Sequence, residues 1–198
     1  MLKSNSKFKI QNSKLIDIPC VILSGGKSSR MGEDKSLLPF EQSNIIQYQY
    51  QRLKNIFSKV YISAKTNKFD FQADIILDNS EIYSPLVALQ SILTKFKSVF
   101  IITVDNPFIT AQTIHTLVNN SDNFDITIAS TPNKIHNLCG VFKNSILENI
   151  TNNIKQHNHK IGYLIKNQLT NTILFDDEKE FLNINTKEQY NQALKHLI

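Results

Sequence analysis

Little in this sequence suits a disulfide-bonded, metal-clustered or membrane-embedded protein. Two cysteines, Cys20 and Cys139, lie in apolar neighbourhoods that read as strands, and no C-x-x-C or Cys/His metal spacing accompanies them. Free buried cysteines behave as small hydrophobes, so a reducing, cytoplasmic setting is expected. No apolar run approaches the ~18 residues of a membrane helix, and the lysine-bearing start lacks the apolar core of a secretory signal. Membrane partners are therefore not expected. Arginine is scarce: Arg30 and Arg52 are the only two among 22 basic residues. The net charge of +5 is spread along the chain without a dense basic cluster interleaved with aromatics, which argues against nucleic acid. His157 and His159, in an asparagine-rich polar stretch, read as solvated surface residues rather than zinc ligands.

What remains is an ordinary globular composition. Hydrophobic residues make up 41% and charged residues 20% of 198 positions, which suits a single soluble domain with a sizeable core. Residues 1–17 are polar and lysine-rich and read as an N-terminal tail, leaving 18–198 as one domain and an expected monomer.

The most informative stretch is Cys20-Val-Ile-Leu23-Ser24-Gly25-Gly26-Lys27-Ser-Ser-Arg30-Met-Gly32-Glu-Asp34-Lys35. An apolar run, Ile18 to Leu23, ends in turn signals and reads as a buried strand. Adjacent glycines let the backbone bend tightly and approach a ligand closely, and successive N–H groups in such a loop form a concavity for anions. Lys27, Arg30 and Lys35 beside that concavity suit a polyphosphate. Two familiar phosphate loops are excluded. A Walker A motif ending at Gly26-Lys27-Ser28 requires glycine at position 21, where Val21 stands, and G-x-G-x-x-G fails because Gly25 and Gly26 are adjacent. A plain glycine turn between strand and helix is the alternative.

Downstream, strands and helices alternate. A helix capped by Ser43 is predicted to about Phe57, with Ile46, Gln49/Tyr50 and Leu53 on its buried face. Strands follow at 60–62 and 74–78, then a helix from Ser84-Pro85 to about Lys97. Val99–Val104 is the best candidate for a central parallel strand. Thr110 caps a further helix. Strands are predicted at 125–129, 139–142, 172–175 and 181–184, with a short helix at 145–153. Thr186-x-x-Gln189 is a capping box opening a last helix to about Leu197. This order predicts an α/β fold with a mostly parallel central sheet and helices on both faces.

Ligands of open α/β sheets bind beyond the carboxyl ends of the strands. The glycine loop, Asp78 and Asp105 all fall at such ends. Asp105, followed by Asn-Pro, is the metal candidate, since magnesium takes oxygen ligands from one or two carboxylates plus substrate phosphates. It is equally a residue type that caps a turn. Asp78 suits guanine, whose N1–H and exocyclic amine are adjacent donors for one carboxylate, and it also suits a helix or turn cap.

The run Leu23-Ser-Gly-Gly-x-Ser-x-Arg-Met-Gly-x-Asp-Lys-x-Leu-Leu38 resembles the signature loop of the molybdenum cofactor guanylyltransferases, with Ser24 where the family usually has alanine. The resemblance continues to the C-terminus. It implies a Rossmann-like nucleotidyltransferase that transfers GMP from GTP to Mo-molybdopterin, with Mg2+ as cofactor and pyrophosphate as leaving group. Molybdenum-cofactor chaperones and molybdoenzyme apoproteins are further partners implied by it. Leu23, Ser24, Gly25, Gly26, Lys35, Ser63, Asp78 and Asp105 would hold GTP. Lys35 would stabilise phosphoryl charge, Arg30 would sit on the β and γ phosphates, and Asp105 would hold the metal. His136 matches the family's H-P-x segment, and Asn183 and Asn185 match N-x-N-T-P, so these three are expected at the molybdopterin; Asn185-Thr186 is also simply a good helix start. Departures from the pattern are Ser63 for asparagine, Ala88 for glycine, and Asn137 and Lys187 for prolines. Alternatives of other classes are a transferase using CTP on molybdopterin or a nucleotide on a sugar phosphate, and a non-catalytic cofactor carrier.

Overall fold

A computed structural model describes residues 14–25, 34–78, 80 and 82–195. Its elements are β1 (Cys20–Leu23), β2 (Pro39–Phe40), β3 (Ser43–Asn44), α1 (Ile45–Lys54), β4 (Val60–Ala64), β5 (Asp74–Leu77), α2 (Pro85–Leu93) and β6 (Ser98–Thr103). After these come α3 (Ala111–Asn119), β7 (Ile126–Thr131), β8 (Lys134–Lys143), α4 (Leu147–Lys155), α5 (Ile161–Lys166), β9 (Thr170–Leu174) and α6 (Lys187–Lys195). Short 3-10 turns cover Lys35–Leu37, Asn144–Ile146 and Glu178–Phe181.

β1 is buried along its whole length, and its side chains alternate between two cores. Cys20 and Ile22 join Ile46, Leu53, Ile114, Leu117 and Ala193 on the side of α1, α3 and α6. Val21 and Leu23 join Leu86, Leu89, Ile150 and Leu164 on the side of α2, α4 and α5. β6 does the same, with Phe100 and Ile102 on the first side and Val99 and Ile101 on the second. Strands apolar on both faces are what a sheet covered by helices on both sides requires. The seven strands run in the order β5-β4-β1-β6-β8-β7-β9. β5, β4, β1 and β6 pair in parallel, β8 is antiparallel to both its neighbours, and β9 is again parallel to β7. The chain builds outward from β1 to β4 and β5, then returns to lay β6 on the other side. That reversal opens a crevice at the carboxyl ends of β1 and β6, the usual ligand position in such sheets.

Several boundaries differ from the sequence expectation. Asn44, not Ser43, caps α1, its Oδ1 accepting from Gln47 N at 2.9 Å. Ser43 is instead paired in the β2–β3 hairpin. α1 stops at Lys54, and Phe57 bridges Ile16. Ile16, in the segment read as a tail, is buried and donates its N–H to Ile56 O at 2.9 Å. Residues 181–184 are not a strand. Phe181 ends a 3-10 turn capped by Asp177, because two apolar residues three apart, Phe181 and Ile184, suit a turn and its exit better than a period of two. The capping box is present: Gln189 N donates to Thr186 Oγ1 at 3.3 Å and Gln189 Oε1 accepts from Thr186 N at 3.2 Å. No helix among the described residues is long and apolar enough to cross a membrane.

β8 begins at Lys134 rather than Cys139 because a bulge interrupts it. Ile128 pairs with Gly140, while the next residue, Ala129, pairs with His136. Asn137, Leu138 and Cys139 are thus extra in β8, and a bulge of this kind re-aims side chains. Gly140 allows the close approach: a Cβ there would stand 2.0 Å from the Thr127 carbonyl oxygen, at φ +156°. Gly140→Ala is expected to destabilise the fold by about 2 kcal/mol or more, read as a fall of about 4 °C or more in the thermal midpoint.

Candidate active site

The site starts where β1 ends. Ser24 N donates to Ser63 O at 2.9 Å, the last bond of the β1–β4 pairing. At Gly25 the chain leaves the sheet, and no described residue other than its chain neighbours comes within 4 Å of where a side chain would point. Gly26 and Arg30 lie outside the described residues. The loop returns at Asp34, whose Oδ1 accepts from Ser36 N at 3.1 Å and from Ser36 Oγ at 2.7 Å. Its Oδ2 accepts from Lys68. Burial pushes the Asp34 carboxyl up, but the Lys68 and Ser36 hydrogen bonds outweigh it and hold it below the ordinary range. Asp34 therefore caps the turn that presents Lys35, which explains why aspartate precedes the lysine.

Lys35 Nζ crosses the crevice and donates to Asp105 Oδ2 and to Asn185 Oδ1, each at 3.0 Å. Asp105 stands on the turn after β6, and three neighbours fix that turn. Thr103 donates its hydroxyl to Asp105 Oδ1. Gln49, fully buried on α1, donates Nε2 to the carbonyls on either side of Asp105, Thr103 O at 3.2 Å and Asn106 O at 3.0 Å. Ile184 N donates to Asp105 O at 2.9 Å. Asn185 is fixed in turn by its own N–H, 2.8 Å from Gln189 Oε1.

Across the cavity, Asp78 ends β5 with its N–H on Ala64 O at 2.9 Å. Its Oδ2 accepts from Lys65 Nζ at 2.6 Å. Leu23, Gly25, Lys35, Ser63, Asp78 and Asp105, six of the residues expected at the nucleotide, line one cavity of about 420 Å³. Tyr83, Ser84, Pro85 and Ala88 from the start of α2, and Leu138 from the β8 bulge, complete its wall.

Ser24 is buried beneath the floor, its hydroxyl without a partner. Asn185 reaches the site through Lys35. Asn183 is half-buried on the segment just before it. His136 is not part of the cavity wall. It is buried in β8, stacked on Phe181 at 4.4 Å between ring centres, with Nε2 3.4 Å from Thr131 Oγ1. His159 is not simply solvated: its Nδ1 lies 3.2 Å from Ser84 Oγ.

Lys65, Lys68, Tyr83 and Leu138 carry parts of the site that sequence reasoning did not single out, and Gln49, expected only on the buried face of its helix, is another part. Lys65 had a legible signal, a cation immediately after a strand that ends at the ligand edge. Gln49 had another, a polar residue on an otherwise apolar helix face. For a divalent ion, Asp105 offers the carboxylate, with Asn185 Oδ1 beside it on the shared Lys35 ammonium. Among the described residues no group of three or more His, Cys, Asp or Glu forms a cage. One carboxylate facing a cavity fits magnesium, which completes its shell with substrate phosphates and water. It does not fit a structural zinc site.

A switch-point crevice with a glycine turn on one strand and a lysine-bound aspartate on the next defines a nucleotide-handling α/β protein. The chain belongs to the family described as the MobA-like NTP transferase domain, whose model matches residues 20–171. It is 40% identical over 189 residues to the molybdenum cofactor guanylyltransferase of a Campylobacter jejuni strain, covering 93% of this chain and 99% of that one. The Helicobacter pylori (strain G27) protein of the same name is 34% identical over 197 residues, covering 95% and 97%. The same fold occurs in molybdopterin-guanine dinucleotide biosynthesis protein A from Archaeoglobus fulgidus, with a TM-score of 0.80 at 16% identity over 91% of this chain and 98% of that one.

Burial of His136, and secondarily the charge of Lys134, pushes its pKa down to about 4. The unfolded chain protonates this imidazole near its ordinary value of about 6.5, while the folded chain resists until about pH 4. His136 therefore adds no pH dependence above about 6.5, and stability is lost as pH falls from there toward 4. His136→Phe, which keeps the ring on Phe181, is expected to reduce the drop in thermal midpoint between pH 7 and pH 4.5.

Proposed function

We propose that this chain transfers GMP from GTP to Mo-molybdopterin, with Mg2+, giving the guanine dinucleotide cofactor and pyrophosphate. The observation that carries this reading is the Lys35–Asp105 contact at the phosphate end of a cavity whose opposite wall holds Asp78. The names of the relatives supply the substrates, and both free cysteines are buried, as suits a reducing cytoplasm.

A phosphate oxygen of the acceptor forms the new bond to the α-phosphorus of GTP, and the bond from that phosphorus to the bridging oxygen of the β-phosphate breaks. The pyrophosphate leaves with the bond electrons. A phosphate monoester is already a nucleophile near neutral pH, so no general base is required. Catalysis of such transfer is positioning and electrostatics. Gly25 lets the backbone lie against the triphosphate without a side chain between them. Lys35 donates to phosphate oxygens as charge builds on the leaving group, and Asn185 and the Asp34-capped turn keep its ammonium at that end. Asp105 would hold Mg2+, which neutralises triphosphate charge. Asp78 and Ser63 face the base end, where a carboxylate accepts from N1–H and the exocyclic amine of guanine.

Calorimetry with magnesium and each of GTP, CTP, ATP and UTP tests the base. Preference for GTP is expected; preference for CTP would keep the phosphate chemistry and overturn the guanylyl assignment. Lys35→Ala and Asp105→Ala are each expected to lower pyrophosphate release in the presence of acceptor by about 100-fold or more, with the far-UV circular dichroism unchanged. A near-normal rate in either variant would remove that residue from the mechanism.

A further inference from the structure

The wall opposite the phosphate end is organised around one ammonium. Lys65 follows β4, and its side chain is only 20% exposed. Nζ donates to Asp78 Oδ2 at 2.6 Å, to Ile82 O at 2.9 Å and to the Ser80 carbonyl. A lysine ammonium has three donors, so all are engaged. Nζ also lies 5.2 Å from the centre of the Tyr83 ring. The segment it gathers offers little apolar burial of its own, with Leu77, Ile82 and Tyr83 about half exposed at 49%, 46% and 56%. A segment of this kind takes its shape from its hydrogen bonds rather than from packing.

Asp78 is 5% exposed, and its carboxylate is held at both oxygens. Oδ2 accepts from Lys65 and Oδ1 accepts from Ser80 N at 3.0 Å. A carboxylate has about four lone-pair sites, so one remains on each oxygen. Two adjacent N–H donors need just such a pair, presented in one plane and held still. Without Lys65 the carboxylate would be held at Oδ1 alone, and the Ser80 and Ile82 carbonyls would lose their shared donor.

We propose that Lys65 is the positioning residue that sets purine selectivity: by holding Asp78 Oδ2 and the carbonyls of Ser80 and Ile82 together, it presents the carboxylate as a fixed acceptor pair for guanine. This rests on the reading of Asp78 as the guanine contact. The opposite role, a latch that guanine must break open, predicts the opposite sign in the same experiment.

The test is calorimetry of the full chain with magnesium and either GTP or inosine triphosphate, which lacks the exocyclic amine. In Lys65→Met, GTP affinity is expected to fall about tenfold and the preference for GTP over inosine triphosphate to shrink. Lys65→Arg, which keeps the charge and several donors, is expected to recover most of that preference. Lys65→Gln, a donor without the charge, gives the same comparison should the Met variant melt below the assay temperature. An unchanged preference in Lys65→Met or Lys65→Gln, or tighter GTP binding, overturns the proposal. Asp78→Asn separates the two layers of inference. If it keeps the wild-type preference, Asp78 does not read guanine and the role of Lys65 falls with it. If it abolishes the preference while the Lys65 variants retain it, the reading of Asp78 stands and only the role of Lys65 is overturned.

Discussion

The ammonium of Lys35 ties together three parts of the chain that are distant in sequence. The loop after β1, the turn after β6 and the segment before α6 meet through its contacts with Asp105 and Asn185. Lys35 and Asp105 are each about four-fifths buried, at 21% and 20% side-chain exposure. Charges withdrawn from water to that degree need a partner close by, because an uncompensated charge costs several kcal/mol. The pair therefore fixes the relative placement of its three segments when no nucleotide is bound. In the proposed reaction a triphosphate would bring new negative charge to the same point, so the lysine could exchange one anion for another without being left unpaired.

The anchoring of each member makes this one contact enough. Asp34 caps the turn that carries Lys35. Gln49 reaches from beneath the sheet to both carbonyls flanking Asp105, and Gln189 holds the backbone of Asn185. At the far wall, Lys65 and Asp78 form a second lysine–aspartate pair. The cavity thus has a cation and an anion at each end. In the proposed reaction the cation acts at one end, on phosphates, and the anion at the other, on the base.

The central strands β1 and β6 were legible because their residues must be apolar on both faces, and Val99–Ile102 runs four apolar residues in a row with Thr103 as the first polar position at the ligand edge. The glycine loop and the two strand-end aspartates were legible because sheet topology confines ligands to one edge. Boundaries set by a single hydrogen bond were less so: Ser43 and Asn44 are both good caps, and only the β2–β3 hairpin decides between them. The β8 bulge left no clear mark, since a glycine inside a strand signals close approach but not how many residues loop out. For Lys65 and Gln49 the sequence marks the position, a cation after a strand end and a polar residue on an apolar helix face, but not the role, because the carbonyls they hold are present at every residue.

His136 shows how an imidazole in a matching motif can serve packing. Its ring lies on Phe181, and Phe181 belongs to the 3-10 turn whose Glu180 carboxylate accepts from Thr110 N and from the Thr110 and Thr113 hydroxyls at the start of α3. Three residues further on, Ile184 N reaches Asp105 O, and Asn185 reaches Lys35. The segment from Glu178 to Asn185 is therefore clamped at both ends and in its middle: by the cap of α3, by the His136 stack, and by the Asp105 turn. The imidazole is neutral through most of the accessible pH range because burial withholds water from its charged form, and the charge of Lys134 adds to the effect. In this structure the ring thus helps hold, through Phe181, the segment that delivers Asn185 to Lys35.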